Sequence, residues 1–127
     1  ITPSAGYVTI PQSIFFGFIG ALVSNKMMYW KKLKQIDDTL DVFACHGVGG
    51  IMGMLLTAIF AQGENASLLH GGWAVFGHHM MALVLVPVFT FGGAYLLFKL
   101  TNLIIPIRVS EESETVGLDW SQHREKL

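Results

Sequence analysis

The sequence predicts an all-α fold: a polytopic membrane helical bundle, here a fragment with three transmembrane helices. Three observations carry that prediction. Of the 127 residues, 52% are hydrophobic and 13% charged, against about 25% charged in an ordinary water-soluble domain. The charge is also segregated, since residues 39–107 hold only Asp41, Glu64 and Lys99 among the Asp, Glu, Lys and Arg of the chain. Finally, a hydrocarbon core about 30 Å thick takes roughly 20 apolar residues at 1.5 Å each, and three runs reach that length.

The first span is expected at about residues 11–30, where Pro11 suits a helix start and Lys26 can snorkel toward the far interface. The second is expected at about 41–61, introduced by Asp37 and Asp38, with Thr39 or Asp41 as its cap. The third is expected at about 73–105, long enough to tilt or to kink at Pro87. Residues 1–107 then make a membrane domain fragment and 108–127 a C-terminal tail too charged to be embedded. The start, without Met and without a signal-peptide pattern, reads as cut from a longer chain.

Orientation follows from the basic residues. Lys26, Lys31, Lys32 and Lys34 crowd the first connection, and Lys99 and Arg108 flank the end of the third span, whereas residues 62–72 hold no Lys or Arg. By the positive-inside rule the first connection and the C-terminus are cytoplasmic, and the loop at 63–72 faces outward. That loop includes a formal glycosylation sequon, Asn65-Ala66-Ser67. Trp30 and Trp73 fall where interfacial anchors belong.

Small residues are spaced for close helix approach: Gly17, Gly20, Ala21 and Ser24 in the first span, Gly47, Gly49, Gly50 and Gly53 in the second. A net charge of -1 with no basic aromatic stripe sets nucleic acid aside. The lone Cys45 allows no internal disulfide and reads as a small hydrophobe. No combination of nucleophile, base and anion site marks an enzyme.

His46 is the ionisable side chain deepest within a span, roughly 7 to 10 Å along the helix from Asp41. An ionisable group in lipid is expensive and is a functional-site hypothesis by default. At about 100° per residue, Val42, His46, Gly49, Gly50, Gly53 and Thr57 share one face. That face either lines a narrow apolar passage with one polar handle, or carries a neutral histidine bonded to a neighbouring helix. With His70, His78 and His79 it raises a haem or metal alternative, but adjacent residues point about 100° apart on a helix, and no metal or cofactor is expected. In the tail, Leu118 and Trp120 stand among polar residues, as a frayed end or as a docking segment.

The run Asp37-Asp38-Thr39-Leu40-Asp41-Val42-Phe43-Ala44-Cys45-His46-Gly47-Val48-Gly49-Gly50 resembles the signature of the Amt/Rh ammonium transporters, of the type DDxxDVFxxHGxxG. Ile1-Thr2-Pro3-Ser4-Ala5-Gly6 resembles the family's ITPxxG element, and the stretch from Glu114 to Glu125 its tail pattern ExxGLDxxxHGE, with Arg124 where Gly is usual. The resemblance implies part of an eleven-helix transporter fold, with the preceding helices contributed by the rest of the protein. It implies a homotrimer in the plasma membrane that takes ammonium or ammonia through a hydrophobic pore in each subunit.

The resemblance further implies a histidine pair in that pore, of which His46 matches the second member, with Val42 and Gly50 beside it. Asp41 and Phe43 are expected to be structural near the pore. Gly117, Leu118, Asp119 and His123 match a regulatory tail that meets a cytosolic PII-type protein. The alternative function is an ammonium-sensing membrane protein of the same fold without net transport.

Overall fold

The computed structural model describes residues 1–62 and 67–125; residues 63–66, with the sequon's Asn65 and part of the expected outer loop, and 126–127 lie outside the described residues. The chain divides into two compact units, Ile1–Val86 and Pro87–Leu127. Its long helices are α1 (Ile10–Leu33), α2 (Gly49–Phe60) and α3 (Trp73–Ile104), with a short α4 (Glu111–Val116) in the tail. A π-helical turn, Phe43–Val48, runs directly into α2, and a second, Asp119–His123, follows α4.

In the first unit, α1 and α2 are tied at both ends. The Thr9 N–H donates to Gln12 Oε1 at 2.9 Å, and Gln12 Nε2 donates to the Phe60 carbonyl at 3.0 Å. The first bond satisfies a free amide at the start of α1, and the second satisfies one of the carbonyls that every helix end leaves over. The Gln62 N–H donates to the Tyr7 carbonyl at 3.2 Å beside them. Phe15, Phe16 and Phe60 meet edge to face, with ring centroids 5.8 to 6.2 Å apart. Phe16 is fully buried, and Ala44, Val48, Leu56, Ala58 and Ala61 complete the core.

The N-terminal segment, with a 3-10 turn at Thr2–Ser4, lies along α2. Glycine makes that approach possible: a Cβ on Gly53 would stand 2.9 Å from Ile1 Cα and 3.1 Å from its carbonyl carbon and oxygen. The seam is polar beneath the contact. Thr57 Oγ1 donates to the Gly53 carbonyl at 2.7 Å and lies 3.0 Å from Ser4 Oγ, both hydroxyls being buried. Gly20 and Gly49 also face this segment, whereas Gly17 and Gly50 face open space.

Among the described residues, two helical stretches are long and apolar enough to cross a membrane, Phe43–Phe60 and Trp73–Ile104. α1 has the length, at 24 residues, but Gln12, Ser13, Ser24, Asn25 and Lys26 make it more polar. α3 carries Pro87 inside it and has no buried residue, so its apolar surface is left for lipid or for other helices. In the second unit the Ile107 N–H donates to Asn102 Oδ1 at 3.1 Å, closing the end of α3.

Because backbone rather than a flexible side chain opposes a methyl at position 53, Gly53→Ala is expected to destabilise the fold by about 1–3 kcal/mol. Gly17→Ala, which meets nothing within 4 Å, is expected to be neutral or slightly stabilising. Thermal unfolding of the purified protein in detergent compares the two.

Candidate functional site

The site is built from the connection between α1 and α2. Lys31, in the last turn of α1, is 5% exposed, while Lys32 and Lys34 beside it are exposed. Its ammonium donates to the Asp38 carbonyl, pairs with Asp41 Oδ1 at 2.5 Å and lies 3.5 Å from Asp38 Oδ2. A cation near a helix C-terminus also meets the negative end of the helix dipole.

Asp38 faces the other way as well, since Oδ1 accepts from the Val42 N–H at 2.9 Å and Oδ2 from the Phe43 N–H at 3.1 Å. The helix start is thus capped by Asp38, not by Thr39 or Asp41 as the sequence suggests. The reason is in the backbone: Asp41 takes the left-handed conformation, φ 54°, which Asp and Asn tolerate better than other residues with a side chain. In that conformation its carboxylate is on Lys31, and its carbonyl accepts from the Cys45 N–H at 2.9 Å. Burial pushes the Asp38 carboxyl up, but the amides of Phe43 and Val42 and the Lys31 ammonium more than offset this, and it is held below its ordinary value.

Residues 43–48 then wind as a π-helix, with i→i+5 bonding, before α2 begins. The face read at 100° per residue assumes one continuous α-helix, whereas residues up to Val48 follow the wider turn. Gly49, Gly53 and Thr57 are buried against the rest of the first unit, while Val42 and His46 are exposed and a Cβ on Gly50 would meet open space. π-turns inside α-helices occur frequently at functional sites. The apolar periodicity does not signal this one. Its one local trace is Gly47, where a Cβ would stand 3.0 Å from Cδ2 of the Phe43 ring.

The structure therefore leaves Val42 and His46 exposed and Gly50 uncovered, with Phe43 half-exposed and Asp41 apart in the ion cluster. Among the described residues the His46 imidazole has no hydrogen-bond partner. A neutral imidazole offers one N–H donor and one acceptor nitrogen, which on an otherwise apolar surface suits a single small polar guest. Cys45 is exposed beside it.

The other histidines do not join it. His70 Nδ1 is 3.1 Å from Ser67 Oγ, and His79 Nδ1 is 2.9 Å from the Val75 carbonyl. No three His, Cys, Asp or Glu side chains converge among the described residues.

The tail residues form a separate group in the second unit. Ser110 caps α4, its Oγ accepting from the Ser113 N–H at 3.3 Å. Arg108 clamps Glu114 with two bonds, 2.7 and 3.0 Å, and holds that carboxyl below its ordinary value. Gly117 has φ 99° and ends α4; Leu118 is half-exposed, and Asp119 and His123 bound the second π-turn. Arg124 closes it in the left-handed region at φ 58°, a conformation that favours glycine.

Comparison with known proteins adds the following. The chain matches the model of the Ammonium Transporter Family over residues 1–127. It is 36% identical to the ammonium transporter of Bacillus subtilis over 99% of this chain and 33% of that protein. It is 34% identical to ammonium transporter Amt1 of Archaeoglobus fulgidus, over 98% and 33%, and 35% identical to ammonium transporter 1 of Schizosaccharomyces pombe, over 94% and 27%. The chain thus spans about a third of the length of the curated relatives it matches.

Two expectations follow. A carboxyl whose folded pKa is depressed contributes stability above its unfolded value, about 3.9 for Asp, and loses it as pH falls through the lower folded value. Asp38→Asn should therefore unfold at lower temperature than the parent at neutral pH, and the two melting curves should converge in acid below about pH 4. A left-handed residue with a side chain costs roughly 1–2 kcal/mol, so Arg124→Gly should steady the tail turn, seen as slower hydrogen exchange at the Glu125 amide, which bonds the Asp119 carbonyl at 3.0 Å.

Proposed function

The chain belongs to the ammonium transporter family, and on that premise we propose that it supplies the last three membrane helices and the cytosolic tail of an ammonium or ammonia channel. In this reading the remaining helices of the same transporter complete the bundle, and three copies assemble in the plasma membrane. The C-terminus is cytoplasmic, and Gly117, Leu118, Asp119 and His123 present the tail to a PII-type regulator. The unburied apolar surface of α3 and the half-exposed Leu118 and Trp120 support those contacts.

The observation that carries the reading is the setting of His46. It lies on the open side of a π-turn within a membrane-length apolar stretch, between Val42 and Gly50. A bare ammonium ion cannot share such a path cheaply, since the idealised cost of burying an isolated ammonium is on the order of tens of kcal/mol. Ammonium therefore releases its proton to water at the entrance, and neutral ammonia crosses and is reprotonated from water on the far side. His46, as one member of a histidine pair, accepts and donates one hydrogen bond to it or relays the proton, which an imidazole can do by taking a proton on one ring nitrogen and releasing one from the other. Val42 keeps the wall apolar and Gly50 keeps it wide. Asp41 and Phe43 hold the turn rather than touch the guest.

In proteoliposomes carrying the complete transporter, His46→Ala should lower the ammonium-elicited current by about tenfold or more, the loss of ~1.4 kcal/mol of barrier stabilisation, with the protein still folded. Unchanged current and ion selectivity would remove His46 from the path. No current in either protein would favour an ammonium sensor of the same fold.

A further inference from the structure

We propose that Lys31 is a positioning residue for His46: its buried ammonium, gripped by Asp38 and Asp41, fixes the direction in which the π-turn leaves α1 and so where the imidazole stands. The proposal rests on the pore reading given above and adds to it the part of the chain that aims the histidine.

The path from the ammonium to the imidazole is short and bonded throughout. Lys31 Nζ holds Asp41 Oδ1 at 2.5 Å and also binds the Asp38 carbonyl. The Asp38 carboxylate holds the amides of Val42 and Phe43, the latter the first residue of the π-turn, and the Asp41 carbonyl holds the amide of Cys45, the residue before His46. The left-handed backbone at Asp41, φ 54°, sets the angle at which the chain enters the turn, and the ion pair is what keeps that residue's carboxylate on α1. Swinging the turn would break at least one of these bonds.

Stability alone does not call for this arrangement. A desolvated ion pair is often no more stabilising than apolar groups of the same volume, and its best-attested use is to fix a register. The choice of a buried lysine here, with Lys32 and Lys34 beside it left in the open, fits the second role.

The test uses the complete transporter in proteoliposomes, with currents normalised to folded protein and the ammonium-to-potassium current ratio as second readout. Lys31→Gln and Asp41→Asn should each lower ammonium current about tenfold, short of the roughly hundredfold that a misplacement on the order of 1 Å can cost a positioned group, and should change the ratio. Lys31→Arg, which keeps the charge, should restore most of both. Asp41→Asn keeps the volume and tolerates the left-handed backbone, so it decides the matter if Lys31→Gln does not fold. A lower yield with unchanged current per folded protein and unchanged ratio would overturn the proposal. His46→Ala measured alongside separates the two readings. A change there with none in Lys31→Gln and Asp41→Asn removes the positioning role alone, and no change in His46→Ala removes the pore reading and this proposal with it.

Discussion

A lysine ammonium withdrawn from water has to be answered by oxygens, and the stretch from the end of α1 to the start of α2 is arranged around that requirement. Lys31 takes a carbonyl and two carboxylates from a loop of only a few residues. Gathering them turns the backbone left-handed at Asp41 and leaves the Asp38 carboxylate free on its far side to receive two helix amides. One buried charge thus organises a loop, a cap and the start of the π-turn. The opposite ends of the helices are joined by neutral groups, Gln12 and backbone carbonyls, where no charge is withdrawn and no such clustering is needed.

The helices were legible from run length, although among the described residues only the second and third are apolar enough to cross a membrane. The runs expected at 11–30, 41–61 and 73–105 correspond to helices at Ile10–Leu33, Phe43–Phe60 and Trp73–Ile104. The details at the site were less so. Thr39 and Asp41 have good capping chemistry, but which of several nearby acids reaches the amides depends on backbone angles, and the demand of Lys31 across the loop set those. The face around His46 was read with a single helical period, which a π-turn breaks without altering composition. Val42 and His46 are nonetheless exposed and a Cβ on Gly50 would meet nothing within 4 Å, while Gly49, Gly53 and Thr57 are buried in the seam. Depth within an apolar span singled out His46 from the other histidines, and family resemblance gave it a role.

Close packing and openness divide the glycines between them. Gly53 is where backbone meets backbone, and beneath that contact Thr57 is buried without an orphaned donor because its hydroxyl bonds its own helix's Gly53 carbonyl, which the Ser4 hydroxyl also approaches at 3.4 Å. Among the described residues, Gly17 and Gly50 have nothing within 4 Å of an added Cβ. The tail follows a different logic. Its ion pair, Arg108 with Glu114, is exposed, where such pairs are screened and weak, and its backbone carries two positive-φ residues close together, Gly117 and Arg124.

The π-turn also bears on how this chain can change its length. An i→i+5 turn holds one residue more than the α-helix around it. Deleting one residue between Phe43 and Val48 would let the helix close as an ordinary α-helix, turning everything before the deletion by about 100° relative to Gly53 and drawing it about 1.5 Å closer. Such a deletion leaves composition and hydropathy almost untouched, yet it would carry the acids at 38 and 41 away from the lysine they hold. Phe43–Val48 therefore acts as a phase adjuster between two fixed features, the ion cluster before it and the glycine seam after it. Among homologous chains, gain or loss of a single residue in this stretch is a change of geometry that substitutions alone do not reproduce.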